Sequence, residues 1–198
     1  MTTGGWVFGE GFDRTLADAR RGDETAWTKL YLDLAPVLTG YLIGRGARNP
    51  EDVTSETLLQ VVRDLRSFDG DESSFRSWVF TLAHHRMVDD ARRTAARPAD
   101  ATAGDVLERV APAHSFEDVS VSHLGPAELS YLLAATTPDQ RDVLLLRYVA
   151  DLTLHEAAEV LDKDYNAVKA LHRRGLDALR AHVASGSYPQ GRARALSP

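Results

Sequence analysis

The side chains best suited to chemistry lie in two places. Near the C-terminal end, Tyr165, Asn166, Lys169, His172, Arg173 and Arg174 fall in one helical stretch, with Lys163 just ahead of them. Lys and Arg can grip phosphate or read guanine, and Asn can read adenine. In the middle of the chain, His84-His85 and Asp89-Asp90 invite a metal reading, because His85 and Asp89 share a helical face at i, i+4. No HExxH, no further His/carboxylate cluster and no Gly-rich phosphate loop accompanies them. Metal-dependent catalysis is therefore set aside, and His85 is read as a surface or DNA-facing residue. The chemistry indicated is recognition, with no catalytic residue, no metal and no cofactor.

The basic set needs a scaffold, and the sequence supplies one. Thr137-Pro138-Asp139-Gln140 opens a helix with a capping residue, a proline at the first helical position and a capping-box partner. Thr153-Leu154-His155-Glu156 repeats the box with Glu, and Leu154, Ala157, Ala158 and Leu161 keep helical spacing behind it. The polar break Asp162-Lys163-Asp164 follows, and then the helix that carries the basic residues. Two helices joined by such a turn present the second to the major groove.

Upstream, Phe12, Leu16 and Ala19 predict a first helix, which Gly22-Asp23 interrupts. Trp27, Leu30, Tyr31, Leu34, Leu38, Tyr41 and Leu42 form a stripe along a second helix to about Gly44, read as core. Asn49-Pro50-Glu51-Asp52 opens a third, with Asn49 as cap and two carboxylates at the positive end of the helix dipole. It runs to about Arg66. After the loop Ser67–Glu72, Ser73 or Ser74 is expected to cap a helix that runs through Phe75, Trp78, Val79, Leu82 and Val88 to Arg93.

From about 94 to 126 the apolar pattern collapses into Ala, Pro, Asp and Ser, with room for a short helix near Val106–Val110. So long a loop is uncommon inside one compact domain. The expected fold class is all-α: two small helical domains, 11–93 and 127–183, joined by a flexible linker over 94–126. Residues 1–10 read as a loose leader and 184–198 as a disordered tail.

Composition narrows the function classes. The 198 residues contain no cysteine, which excludes disulfides, thiolate zinc sites and thiol redox sensing. No apolar run reaches membrane-spanning length and no secretory signal is visible, so a cytoplasmic location without membrane contact is expected. The formal net charge of −6 predicts weak binding to free DNA, because affinity for duplex rests heavily on phosphate neutralisation. A partner that supplies the DNA grip would make up for this, and an acidic surface suits docking on a basic partner.

Two blocks carry a resemblance to bacterial RNA polymerase sigma factors. PDQRDVLLLRYVADLTLHEAAEVL and AVKALHRRGLDALR resemble the promoter-reading domain and its recognition helix. NPEDVTSETLLQVVRDLRSFDGDESSFRSWVFTLAHHRMVDDARR resembles the polymerase-binding and promoter-melting region. Their order and the short two-domain layout resemble the extracytoplasmic-function (ECF) subfamily. The resemblance implies docking on the coiled coil of the largest polymerase subunit through Asp52, Glu56, Leu59, Gln60, Arg63 and Asp64, which otherwise read as solvated charges on a half-exposed helix.

It also implies that Phe68 and Ser73, in and beside the loop, help hold a flipped base. Arg76, His85, Arg86 and Arg92 would contact the downstream (−10) element. Lys163, Tyr165, Asn166, Lys169, His172, Arg173 and Arg174 would read the upstream (−35) element. The implied partners are core polymerase, at the coiled coil and the flap region, promoter DNA and an anti-sigma protein. His85 stands where the family often has Asn, Asp162 where its turn has glycine, Asp164 where it has Ser, and Leu171 where many members have Arg. Two other functions fit the residues: a helix-turn-helix regulator without promoter-opening activity, and a sigma-like interaction protein.

Overall fold

A computed structural model describes residues 11–95 and 131–185. The leader, the linker with its expected helix near Val106–Val110, and the tail from 186 lie outside the described residues. The helices that position the site are α1 (Phe12–Arg20), α2 (Glu24–Gly44), α3 (Pro50–Asp64), α4 (Glu72–Ala95), α5 (Pro138–Tyr148), α6 (Leu154–Val160) and α7 (Tyr165–Ala184).

The first four pack as a bundle. Leu30, Leu34, Leu38, Tyr41 and Leu42 of α2 are buried against α1, α3 and α4, together with Leu16, Val61, Phe75 and Phe80. Tyr31 departs from the expected stripe and is 56% exposed. The stripe as read is wider than the arc one helix can bury, so an edge position faces water. Two expected caps also differ. Asn49 precedes α3, but its side chain makes no capping bond, and Pro50 at the first turn removes one orphan donor instead. Neither Ser73 nor Ser74 caps α4; Asp71 does, accepting from the Ser74 backbone N–H at 2.8 Å.

α5, α6 and α7 form the second unit around Leu144, Leu152, Ala157, Val160 and Val168. Both capping boxes close as the sequence predicts: Thr137 with Gln140, and Thr153 with Glu156. Asp164 caps α7 through the N–H groups of Asn166 and Ala167. Asp162 has φ of 49°, the left-handed conformation that favours glycine and that Asp tolerates better than most residues. Gly175, midway along α7, lies against Leu144 of α5. A Cβ there would come within 3.0 Å of the Leu144 Cδ1.

Candidate nucleic-acid interface

The turn Asp162–Asp164 sets α7 across α6, and Val168 is fully buried in the angle between them. Burial of that face turns Asn166, Lys169, Arg173 and Arg174 outward to solvent. Tyr165 is half-buried, and its ring stacks on His155 of α6, with centroids 3.9 Å apart and planes 6° apart. His155 carried no role in the sequence reading; its position two residues after the Thr153 cap was the available signal. His172 turns inward. Its ring stacks on Tyr148, and its Nε2 lies 3.0 Å from the Tyr148 hydroxyl. Burial, then the charges of Arg147 and Arg180, pull its pKa down. Lys163 pairs with Asp139 at 3.6 Å, and the Arg174 Nε donates to the Ala170 carbonyl.

In the first unit the loop after α3 is pinned by Arg20, which donates to the carbonyls of Leu65 and Phe68. Phe68 stacks on Trp78 with centroids 5.1 Å apart and meets Phe75 edge-on. The ring thus anchors the loop to the aromatic root of α4. Backbone hydrogen bonding from Ser74 holds the Asp71 carboxyl below its ordinary value. On α4, His85 and Arg92 are exposed, with Arg92 3.7 Å from Asp89. Among the described residues no three His, Asp or Glu side chains converge as metal ligands would.

α3 presents Asp52, Glu56, Leu59 and Arg63 to solvent along one side, with Leu59 55% and the adjacent Val62 47% exposed. Gln60 donates to Asp64 at 3.3 Å. Arg86, read from the sequence as a DNA contact, reaches back to this helix. It lies 3.0 Å from Glu56 and also donates to Gln60.

The two units touch. Arg45, just beyond α2, meets Asp142 of α5 in a two-pronged pair, Nε to Oδ1 at 2.6 Å and Nη2 to Oδ2 at 2.7 Å. Its Nη1 lies 2.8 Å from Nδ1 of His84. Arginine can only donate, so His84 accepts there and carries its hydrogen on Nε2. Burial, then the charges of Arg45, His85 and Lys163, push the His84 pKa down to about 4. Burial pushes the Asp142 carboxyl up against the pull of Arg45.

Beside this pair, Leu145 fills the space over Gly44, where a Cβ would come within 2.6 Å of it. Further along, Arg76 pairs with Asp151 at 3.3 Å, and the Ser73 hydroxyl donates to Glu156. Burial raises the Glu156 pKa, but hydrogen bonds from Ser73 and Thr153 outweigh it, and the net shift is downward. Two sequence-assigned DNA contacts, Ser73 and Arg76, are therefore occupied by the other unit.

Comparison with known proteins gives a consistent picture. The family description Sigma-70 region 2 matches residues 30–97, and Sigma-70, region 4 matches residues 132–181. The ECF RNA polymerase sigma factor SigK of Mycolicibacterium vanbaalenii is 30% identical over 172 residues, covering 85% of this chain and 87% of SigK. SigD of Mycobacterium tuberculosis is 26% identical over 187 residues, 91% of this chain and 88% of SigD. BldN of Streptomyces coelicolor is 28% identical over 163 residues, 81% of this chain, and the match spans 61% of BldN. Among solved structures, CnrH in complex with the cytosolic domain of CnrY superposes with a TM-score of 0.60 at 21% identity, covering 88% of this chain and 97% of CnrH, a likeness of fold. No described helix is long and apolar enough to cross a membrane.

Proposed function

The chain belongs to the ECF RNA polymerase sigma factors, and on that premise we propose how its surfaces divide the work of starting transcription. It directs core polymerase to specific promoters. The α3 side, with Asp52, Glu56, Leu59, Gln60, Arg63 and Asp64, docks on the coiled coil of the largest polymerase subunit. Leu59 and Val62 give that side the apolar centre, and the charges the polar rim, of an ordinary protein interface. The loop with Phe68 and Ser73, and α4 with Arg76, His85 and Arg92, hold the −10 element as it opens. Arg86 serves α3 more directly than DNA, because it already neutralises Glu56 and orders Gln60.

The observation that carries the reading is the outward face of α7. Asn166, Lys169 and Arg173 project from the first turns of the second helix of a doubly boxed helix-turn-helix. That is where groove contacts are made, which supports giving them the −35 element, with Lys163, Tyr165 and Arg174 beside them. His172, turned onto Tyr148, supports the helix from behind. The reaction chemistry belongs to the polymerase, and this chain supplies no catalytic residue. The protein works in the cytoplasm, with the flap region of polymerase against the second unit and an anti-sigma protein as its regulator.

The test is transcription in vitro with purified core polymerase, this protein and genomic fragments that include its own upstream region. Specific initiation dependent on the protein is expected. Core binding without initiation would favour a sigma-like interaction protein. Duplex binding without core binding would favour a helix-turn-helix regulator.

A further inference from the structure

The contact between the two units places carboxylates on the residues assigned to DNA. Asp151 stands at the corner between α5 and α6, with φ of 54°, and faces both Arg76 at 3.3 Å and Arg147 at 3.6 Å. Glu156 takes the Ser73 hydroxyl. An arginine and a hydroxyl at the start of α4 are the groups that would hold a phosphate or a strand edge, and here anionic oxygens of the same chain engage both. The fastening lies elsewhere, at Arg45–Asp142 and in the seat of Leu145 over Gly44. Those residues are not among the ones proposed to contact DNA or the polymerase coiled coil.

We propose that the chain is self-inhibited: Asp151 and Glu156 mimic DNA phosphate on Arg76 and Ser73, and the Arg45–Asp142 latch and the Gly44–Leu145 seat hold them there. The inference rests on the promoter-directing function proposed above. In this state Arg76 and Ser73 are covered, while His85, Arg92 and the outward sides of α3 and α7 stay open. Polymerase and upstream DNA can be engaged first, and separation of the units then exposes Arg76 and Ser73. A latch that keeps only a small fraction of molecules open raises the concentration needed for activity by the inverse of that fraction.

The test uses the full chain and its lack of cysteine. Cysteines introduced at the exposed positions Thr28 and Asp177 carry a donor and an acceptor dye, and energy transfer reports closure without reference to DNA. Three variants are compared with the parent: Asp142→Arg, Gly44→Leu, and the swap Arg45→Asp with Asp142→Arg. The parent is expected to show one high-transfer population. Asp142→Arg and Gly44→Leu should lower transfer and reduce the protein concentration for half-maximal initiation by about tenfold. The swap should restore high transfer and the parental requirement for protein, which excludes misfolding as the cause.

A parent chain that shows low transfer overturns the inference whatever its activity. Variants that open without any gain in initiation overturn the inhibitory role and leave the promoter-directing function standing. Absence of initiation from every protein, parent included, overturns that function and this inference with it.

Discussion

The outward side of α3 and the N-terminal half of α4 belong to the same bundle, yet they are in opposite states. On α3, Asp52, Leu59 and Arg63 face solvent. On α4, Ser73 and Arg76 are already bound to carboxylates from the helix-turn-helix unit. The difference teaches an order of events: a partner can reach α3 while the units stay closed, whereas Ser73 and Arg76, proposed for the −10 element, wait for them to part. It also explains how an acidic chain can keep its basic residues off stray nucleic acid. Part of its negative charge is spent internally on its own arginines.

The sharpest way to break this comparison is at α3. Asp52→Arg with Glu56→Arg should abolish binding to core polymerase, a loss of about 100-fold or more, as charge reversal at a docking face sets like charges together. Pull-down or interferometry with purified core would show it, and unchanged binding would sink the docking assignment. Next comes α7. Lys169→Ala and Arg173→Ala should each cost ~1–3 kcal/mol of promoter affinity, read as footprinting of the polymerase complex on the −35 element, with core binding unchanged.

Packing at the junction gives an effect of stability instead. Leu145→Ala removes a side chain that is 1% exposed and should destabilise by about 2–5 kcal/mol in chemical denaturation. Smaller still are the caps. Thr153→Ala should cost ~1 kcal/mol, because its hydroxyl accepts from Glu156 N–H. Asn49→Ala should cost much less, because that side chain makes no capping bond. Equal losses at the two sites would contradict the assigned caps.

A pH series probes the junction through His84. Its pKa is about 4 in the folded chain against an ordinary 6.5. The unfolded chain takes up the proton first, so stability should fall as pH drops from about 6.5 toward 4 and be flat in this group above that window. The groups facing it are Arg45, Tyr41, His85 and Lys163. Asp142 works the other way. Its raised carboxyl binds a proton more readily when folded and offsets part of the loss at the acid end. Thermal midpoints of the parent and His84→Gln should converge at low pH, and parallel curves would remove His84 from the junction.

What the sequence showed depended on distance along the chain. Both Thr capping boxes and the Asp164 cap were legible because the partners sit two or three residues apart. The cap of α4 was not, because Asp71, Ser73 and Ser74 are all competent caps and only the helix start chooses among them. Tyr31 was misread for a related reason: periodicity gives a face, and packing decides its width. Arg86 was assigned to DNA by its position, but its partner Glu56 is on another helix, 30 residues away. The Arg45–Asp142 pair spans 97 residues, and no local pattern announces it. Outward residues of α7 such as Lys169 were accessible to reading because they follow the Asp162–Asp164 turn directly, whereas the inward turn of His172 onto Tyr148, 24 residues away, was not.

Gly175 turns these observations toward how preference for promoters can drift. It sits on the rear of α7, where the smallest side chain lets that helix lie close against Leu144. A single added methyl there meets the buried Leu144 Cδ1 at 3.0 Å, so either that side chain gives by a few tenths of an ångström or α7 tilts and every forward-facing group swings with it. Spelling preference on this chain can therefore be rewritten from the spine of the reading helix, by a change that never meets a base.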